Sequence, residues 1–486
     1  MKRVGGPVKF AAVLLAVLLA IAARAAELPN IVIVLADDMG WGDPRCYNPR
    51  SKIPTPNIDA LAAQGMRFTD AHTPSSVCTP TRYGLLTGRY AWRSSLKKGV
   101  LNGYSPALIE PGRATLASLL KAQGYETAAI GKWHLGLGDR KKTDYAQPLK
   151  PGPNSCGFDT FFGIPASLDM DPYVFVENEN VVTAPTAKVE TSKHQRDGGN
   201  GYWRGGAMAP DFQHVDVLGK LGAKAGELIA RATPGKPFFL YVPLTAPHTP
   251  WLPTPAFRGV TAIGAYGDFV AQTDAVLGGI LRAIEAAGAT HETLIIFTSD
   301  NGSHWLPSDI ERCGHRANAA WRGQKADIWE GGHRVPFIVR WPGKVRPGTT
   351  SDEVICLTDI FATLAAITGA AIPAEVAGDS ENFLAVLLGE PREKPVRESI
   401  VHHSIDGTFA IREGSWKLCL GLGSHGFSIP KTIAARAGEA GGQLYNLADD
   451  PAETNNLWLE KPGIVARLTT RLRNDQESGS SHSAVR

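Results

Sequence analysis

The chain has 486 residues, of which 43% are hydrophobic and 20% are charged. These values are typical of a globular protein and exclude a disordered or fibrous one. The formal net charge is only +3, which is too small for the extended basic surface that nucleic-acid binding requires.

The N-terminal segment predicts export. Basic residues precede an apolar run at Phe10–Ala23, and Ala23-Arg24-Ala25 fits a small-x-small cleavage site. An uncleaved anchor helix is the alternative, but the run is short for crossing about 30 Å of hydrocarbon. We therefore expect residues 1–25 to be a cleaved signal peptide, and the protein to be periplasmic or secreted with no stable membrane span. Cleavage leaves 46 basic residues against 47 acidic ones, which again argues against a nucleic-acid partner.

Short apolar runs separated by amphipathic stretches indicate an α/β fold. The runs predicted to be buried strands are Asn30–Ala36, Glu126–Ile130, Pro237–Leu244, Thr293–Thr298 and Val335–Trp341. Helical patterns between them end on glycine, the residue that commonly follows a helix, at Gly65, Gly124 and Gly369. The alternation predicts a large mixed, mainly parallel sheet sandwiched by helices, over residues 26–390.

Two later segments differ from this pattern. Residues 184–216 are rich in glycine and show no apolar period, which predicts a long loop. The loop either borders a substrate site or is an ordinary surface loop. Residues 391–486 contain short alternating runs followed by GIVARLTTRLRND. This pattern predicts a C-terminal α+β subdomain made of a small antiparallel sheet plus a helix.

Two polar pairs follow predicted strands. Asp37-Asp38 comes directly after the first strand, and Asp300-Asn301 follows TLIIFTS. Either pair alone is explained equally well by capping or by exposure to water. In open α/β sheets, however, sites lie at the carboxyl ends of strands. Together the pairs offer hard oxygen donors, which favour calcium or magnesium over zinc.

Cationic side chains and histidines also follow the strands. Lys132 and His134 come after ETAAI, His248 follows PFFLYVPL, and Lys325 lies in a glycine-punctuated loop. Each alone is more often a structural or solvated residue. Fixed cations beside a divalent metal would bind a tetrahedral oxyanion ester.

Six cysteines occur without a Cys-x-x-Cys pair, which excludes zinc ribbons and thioredoxin-like motifs. Cys356 and Cys419 lie in apolar contexts that favour the core. Cys78 differs, because it begins the polar stretch CTPTRYGLLTGRY. If it is set aside, five cysteines remain, so at least one stays unpaired or pairs between chains, and no bridge is assigned.

This stretch resembles the signature of type I sulfatases, in which Cys-x-Pro-x-Arg precedes Leu-Thr-Gly. Here these residues are Cys78, Pro80, Arg82 and Leu86-Thr87-Gly88. Further segments resemble the family in the same order, among them NIVIVLADDMGWGD, GYETAAIGKWHLG, TAPHTPW, IIFTSDNG and WEGGHRVPFIVRWPG. The resemblance covers essentially the whole chain after the signal segment. It implies an arylsulfatase-like sulfuric ester hydrolase with the alkaline-phosphatase-like fold.

The resemblance implies a modified nucleophile. In this family the cysteine is oxidised to 3-oxoalanine (formylglycine) by a formylglycine-generating enzyme, and the hydrated aldehyde attacks the sulfate ester. Cys78 would be the precursor, and Pro80 and Arg82 would be read by the maturation enzyme. Hydrolysis would pass through a covalent hemiacetal-sulfate intermediate that eliminates sulfate, which divides one hard step into two easier ones. Thr81 departs from the serine that is commonest there, which leaves open which maturation enzyme acts.

The resemblance also implies calcium and a set of acid–base residues. The implied metal ligands are Asp37, Asp38, Asp300, Asn301 and the modified Cys78. Asp300 would accept the proton of the attacking hydroxyl, and His248 with Lys325 would protonate the leaving alcohol. His134 would remove the second hydroxyl proton.

The resemblance implies substrate contacts as well. Lys132 and Lys325 would hold sulfate oxygens, and His248 and Ser167 would lie near the sulfate. Arg82 would hold the hydrated residue. A sulfated sugar is the expected substrate, although the loops that would contact its alcohol part fit a sugar or an aryl group. These loops carry Trp92, Lys97, Lys98, Tyr202, Trp203 and Arg204.

Two alternatives remain at this point. The first is a phosphomonoester or phosphonate ester hydrolase of the same superfamily. The second is a non-catalytic binding protein, which would arise if Cys78 is not matured.

Overall fold

The structure is a computed structural model that describes residues 28–193, 203–233, 235–373 and 375–481. The predicted signal peptide and Tyr202 lie outside these residues. The strands in chain order are β1 (Asn30–Asp37), β2 (Met66–Phe68), β3 (Ala71–His72), β4 (Glu126–Lys132), β5 (Thr160–Ile164), β6 (Val176–Glu177), β7 (Asn180–Val181), β8 (Ala187–Val189), β9 (Gly206–Met208), β10 (Phe238–Pro247), β11 (Thr293–Ser299), β12 (Phe337–Arg340), β13 (Thr349–Ser351), β14 (Ile355–Cys356), β15 (Ser399–His403), β16 (Phe409–Glu413), β17 (Trp416–Cys419) and β18 (Gln443–Asn446).

The α-helices, numbered from the first described one, are α1 (Pro56–Ala63), α2 (Cys78–Thr87), α3 (Leu116–Ala122), α4 (Val217–Ala230), α5 (Ala265–Ala286), α6 (Pro307–Cys313), α7 (Glu330–His333), α8 (Asp359–Thr368), α9 (Leu384–Leu388) and α10 (Pro462–Glu477). Within the described residues, no helix combines the length and apolar character needed to cross a membrane. The six cysteines are all free, and Cys356 and Cys419 are buried as predicted.

A ten-stranded sheet forms the centre of the molecule, in the order β13-β2-β12-β11-β1-β10-β4-β5-β6-β7. The five central strands β11-β1-β10-β4-β5 run parallel to one another. The pairs β11–β12, β12–β2, β5–β6 and β6–β7 are antiparallel. Every residue of β1 is buried, because both faces of the central sheet are covered. The predicted mixed, mainly parallel α/β sheet is therefore confirmed.

The C-terminal strands β15-β16-β17-β18 form a separate antiparallel sheet. Helix α10 packs on β16 and β17. The predicted small antiparallel sheet plus helix is therefore confirmed. Trp92 is only 6% exposed and packs in the core of this sheet, with Tyr90 stacked on it. The expectation that Trp92 contacts the substrate is wrong, since its indole is part of this core.

A buried polar chain joins this sheet to the main body. Lys417 Nζ lies 3.0 Å from His333 Nε2, His333 Nδ1 lies 3.0 Å from His72 Nδ1, and His72 Nε2 lies 2.6 Å from Asp70. Burial lowers the pKa of both histidines. The Lys417 ammonium donates to His333 Nε2, so His333 donates from Nδ1 to His72 Nδ1, and His72 donates from Nε2 to Asp70. Each imidazole therefore carries one hydrogen and is neutral. All four ring nitrogens of His72 and His333 therefore have partners.

Candidate active site

The carboxyl ends of β1 and β11 place four polar side chains together. The two strands are parallel neighbours, with Ala36 opposite Ser299. Asp37 and Asp38 therefore lie beside Asp300 and Asn301, and all four are buried. Asn301 Nδ2 donates to Asp38 Oδ1 at 2.7 Å, and the Asp38 backbone N–H donates to Asp300 Oδ1 at 3.2 Å. Asp38 adopts a φ of 66°, a strained conformation that clusters at functional sites.

This group of oxygens fits a hard divalent cation. Asp37 Oδ1 and Asn301 Oδ1 are buried and have no hydrogen-bond partner, which is costly for a polar atom. Burial and repulsion from Asp37 raise the pKa of Asp300 to about 6, despite the nearby Arg82 and Lys132. A cation would satisfy the unpartnered oxygens and offset the repulsion between carboxylates. Carboxylate and amide oxygens are the ligands that calcium prefers.

Three buried cations face the same carboxylates. Arg82, on α2, donates from Nε (3.0 Å) and Nη2 (2.7 Å) to Asp300 Oδ2. Lys132, at the end of β4, lies 2.7 Å from Asp37 Oδ2. Lys325 lies 2.7 Å from Asp38 Oδ1. The charges of the three cations thus balance those of three carboxylates. Each lysine is held by an aspartate at the carboxyl end of β1.

The neighbouring opposite charges keep Asp37 and Lys325 ionised despite their burial. Burial by itself raises the pKa of Asp37, but the charges of Lys132, His248, Arg82 and Lys325 outweigh it and hold that pKa far below the usual range. Burial lowers the pKa of Lys325, yet Asp38 more than reverses the effect, so the net shift is upward and the ammonium stays charged.

Cys78 is the first residue of α2 and is only 2% exposed. Burial raises the pKa of its thiol, and the charges of Lys132 and Lys325 do not reverse the shift. The thiol is therefore neutral, and a neutral thiol is a poor nucleophile. Cys78 lies within electrostatic reach of both lysines, Asp37 and Asp300, so any group formed from it faces the whole charged cluster.

His134 follows β4 and is fully buried. Burial, reinforced by Lys132 and Arg82, lowers the pKa of its imidazole well below the usual value. The neutral ring donates from Nε2 to the Leu101 carbonyl at 2.7 Å, while Nδ1 is buried without a partner. His134 thus presents an unshared lone pair at Nδ1, as a general base must. The role of Leu101 was not predicted, because a backbone carbonyl leaves no signal in residue type.

Ser167 and His248 complete the site. Ser167 Oγ lies 3.2 Å from Lys132 Nζ and 3.2 Å from His248 Nε2. His248 Nε2 also lies 3.8 Å from Asp38 Oδ2. The structure therefore places the predicted catalytic, sulfate-binding and metal-ligand residues in one buried group, which consists of Asp37, Asp38, Cys78, Arg82, Lys132, His134, Ser167, His248, Asp300, Asn301 and Lys325.

Comparison with known proteins decides the family. A family model described as Sulfatase matches residues 29–370. The chain belongs to the sulfatase family. A second model, described as N-sulphoglucosamine sulphohydrolase, C-terminal, matches residues 323–478. As a sulfatase the protein is a sulfuric ester hydrolase.

Similar proteins cover nearly the whole sulfatase chain. It is 36% identical over 480 residues to an N-acetylgalactosamine-6-O-sulfatase of Bacteroides thetaiotaomicron, covering 92% of this chain and 93% of the relative. It is 35% identical over 486 residues to Homo sapiens arylsulfatase A, covering 94% and 89%. A solved sulfatase structure, from work on the metabolism of multiple glycosaminoglycans by Bacteroides thetaiotaomicron, superposes with a TM-score of 0.82 at 35% identity, covering 93% of this chain and all of that one.

The sulfatase holds its Lys325 loop with a residue that sequence reasoning missed. Asp327 is fully buried; its Oδ1 accepts from the backbone N–H groups of Phe427 (2.7 Å) and Ser428 (3.0 Å). Its Oδ2 accepts from the Gln324 N–H at 3.0 Å. The carboxylate of Asp327, two residues after Lys325, therefore links the Lys325 loop to the Phe427–Ser428 segment. Its position so close to a candidate lysine was the signal that could have revealed it.

Replacing Asp327 by asparagine is expected to lower kcat for an aromatic sulfate about tenfold, because the amide cannot accept all these bonds and Lys325 loses its position. We also expect a loss of about 2 kcal/mol in the free energy of unfolding. A double-mutant cycle with Lys325→Ala tests the link, since the Asp327 effect on kcat should vanish when Lys325 is absent. Exposed Asp352→Asn is the matched control. Additive effects on kcat would contradict the link.

Proposed function

We propose that this sulfatase hydrolyses sulfate esters of carbohydrates, with formylglycine made from Cys78 and with calcium held by Asp37, Asp38, Asp300 and Asn301. The observation that carries the proposal is the buried cluster around Cys78, in which cations and carboxylates balance while two cation-ligand oxygens lack partners. The hydrated aldehyde would supply a nucleophilic hydroxyl that a buried neutral thiol does not.

Calcium would supply the positive charge that the site lacks by itself. The charges of the buried lysines, arginine and aspartates cancel, so these side chains alone have no net attraction for a sulfate monoester. With a divalent cation the cluster has a net charge of +2, which favours an anionic substrate and stabilises charge on its oxygens.

The protein side chains then divide the proton transfers. Asp300, oriented by the bidentate Arg82, accepts the proton of the attacking hydroxyl. His248 together with Lys325 protonates the leaving alcohol oxygen, since both side chains face Asp38 Oδ2. His134 accepts a proton at Nδ1 while Nε2–H remains bonded to Leu101. Lys132 and Ser167, 3.2 Å apart, bind sulfate oxygens on one side of the site.

The carbohydrate part of the proposal is supported by relatives. One is named for N-acetylgalactosamine 6-O-sulfate, and a structural neighbour comes from work on glycosaminoglycan metabolism. We further propose export through the signal segment and maturation by a formylglycine-generating enzyme that acts on the Cys78 segment.

Substrate comparison tests the proposal. The protein, coexpressed with a formylglycine-generating enzyme, is expected to hydrolyse an aromatic sulfate and sulfated sugars at least 100-fold more efficiently than the matching phosphate esters. A preference for phosphate or phosphonate esters would support the alternative hydrolase. Absence of hydrolysis of any ester by protein shown by mass to carry the aldehyde would reject the enzymatic proposal.

A further inference from the structure

A basic cleft opens beside the candidate active site. It has a volume of about 690 Å³, and its lining includes Leu101, Tyr104, Lys141, Lys142 and Arg204. This volume exceeds what one sulfate group needs and is large enough for a sugar residue.

Two chain segments connect the cleft to the reacting groups. Leu101 lines the cleft, and its carbonyl accepts the hydrogen bond from His134 Nε2. Met170 lines it as well, and its backbone N–H donates to the carbonyl of Ser167 at 2.9 Å. Because the same segments border the cleft and hold catalytic candidates, a sugar adjoining the sulfated one would extend into the cleft.

The charges of the cleft favour an anion. Lys142 Nζ lies 4.5 Å from the ring centroid of Tyr104, and among the described residues no carboxylate forms an ion pair with Lys141 or Lys142. Asp171, the acidic residue of the lining, interacts with the Tyr104 hydroxyl. Two exposed lysines therefore remain without counter-ions beside an aromatic ring, an arrangement suited to an acidic sugar.

Arg204 adds a more fixed cation. Its Nη1 donates to Asp169 Oδ2 at 2.7 Å, and its side chain, which is 49% exposed, lines the cleft. Asp169 is 8% exposed, and its Oδ1 is buried with no hydrogen-bond partner. Asp169 thus orients the guanidinium, whose other N–H groups are available to an anion in the cleft. Asp169 lies two residues after Ser167, so the Arg204–Asp169 pair lies between the cleft and the candidate active site.

We propose that this cleft binds an acidic sugar residue linked to the one that carries the scissile sulfate, so that the substrate is an oligosaccharide with a second anionic group. Lys142 and Arg204 contact that anion, and Asp169 holds the Arg204 guanidinium in place. This inference rests on the proposed action on sulfated carbohydrates. The second anion is a carboxylate or a sulfate, since both present oxygens to these cations.

The test compares four substrates with the matured full-length protein: an aromatic sulfate, and three disaccharides that carry the same sulfated sugar. The neighbouring sugar of the disaccharides is a uronic acid, its carboxyl-reduced neutral form, or a sulfated hexose. We expect kcat/KM to be about tenfold higher for an acidic neighbour than for the neutral one, with 0.5 M salt reducing the ratio. The preferred acidic disaccharide identifies the anion as a carboxylate or a sulfate.

Lys142→Gln and Arg204→Gln are each expected to reduce this ratio at least threefold, with the loss mainly in KM. Exposed Lys344→Gln, remote in the sequence and not in the cleft lining, is the matched control and should keep the ratio. Equal kcat/KM for acidic and neutral disaccharides, or an unchanged ratio in both variants, would overturn the cleft proposal. Failure of the matured protein to hydrolyse even the aromatic sulfate would instead reject the proposed function.

Discussion

Replacing Cys78 by alanine is expected to reduce hydrolysis of an aromatic sulfate to background, a loss of at least about 10⁴-fold. Alanine has no sulfur to be oxidised, so the proposed nucleophile cannot form. The remaining charged groups are expected to stay in place, because Arg82 and both lysines are held by aspartates and not by the thiol. The measurement is kcat/KM for parent and variant produced beside the same maturation enzyme.

The mass of the Cys78 peptide and a control substitution at a second cysteine show whether the loss of activity is due to the missing aldehyde. In the parent, the Cys78 peptide is expected to show the mass of an aldehyde in place of the thiol. Cys313→Ser is the matched control, because this partly exposed cysteine donates from Sγ to the Asp309 carbonyl and a hydroxyl can do the same. Full activity in Cys78→Ala, or an active parent with an unmodified thiol, would contradict the proposed nucleophile. Loss of activity with a large drop in Tm would indicate misfolding instead, and circular dichroism detects that outcome.

Removing calcium is expected both to abolish activity and to lower the thermal stability of the protein. Without a cation, the carboxylates of Asp37, Asp38 and Asp300 crowd together and Asn301 Oδ1 is buried without a partner. A ligand that binds only the folded state at about 100 times its Kd contributes about 2.7 kcal/mol to the free energy of unfolding. We therefore expect a chelator to lower Tm and added calcium to restore it.

Asp37→Asn tests which residues bind the ion. This variant removes a carboxylate from the proposed ligands, so its Tm should respond much less to calcium than that of the parent. Asp352→Asn, an exposed substitution that is not among the proposed ligands, should keep the full response. A Tm that does not change with calcium in the parent would refute the metal site, whatever the activity measurement shows.

Much of the fold and the candidate site followed from local sequence. Apolar runs such as Asn30–Ala36 predicted buried strands, because only covered strands tolerate continuous apolar residues. Polar pairs directly after two of these runs predicted an oxygen-rich group at one sheet edge. The Cys78 motif and the segments that accompany it indicated the family that the comparison confirmed.

The sequence by itself therefore determined the central strands β1, β4, β10, β11 and β12, the family and the chemical types present in the site. Only the tertiary structure decided which lysine pairs with which aspartate, that Trp92 lies in a core, and that Asp327 fastens the Lys325 loop. It also brought Leu101 and Arg204 to one cleft, although about a hundred residues separate them. These contacts depend on how distant elements pack and on the register between strands, whereas propensity and periodicity report only on neighbours in the chain.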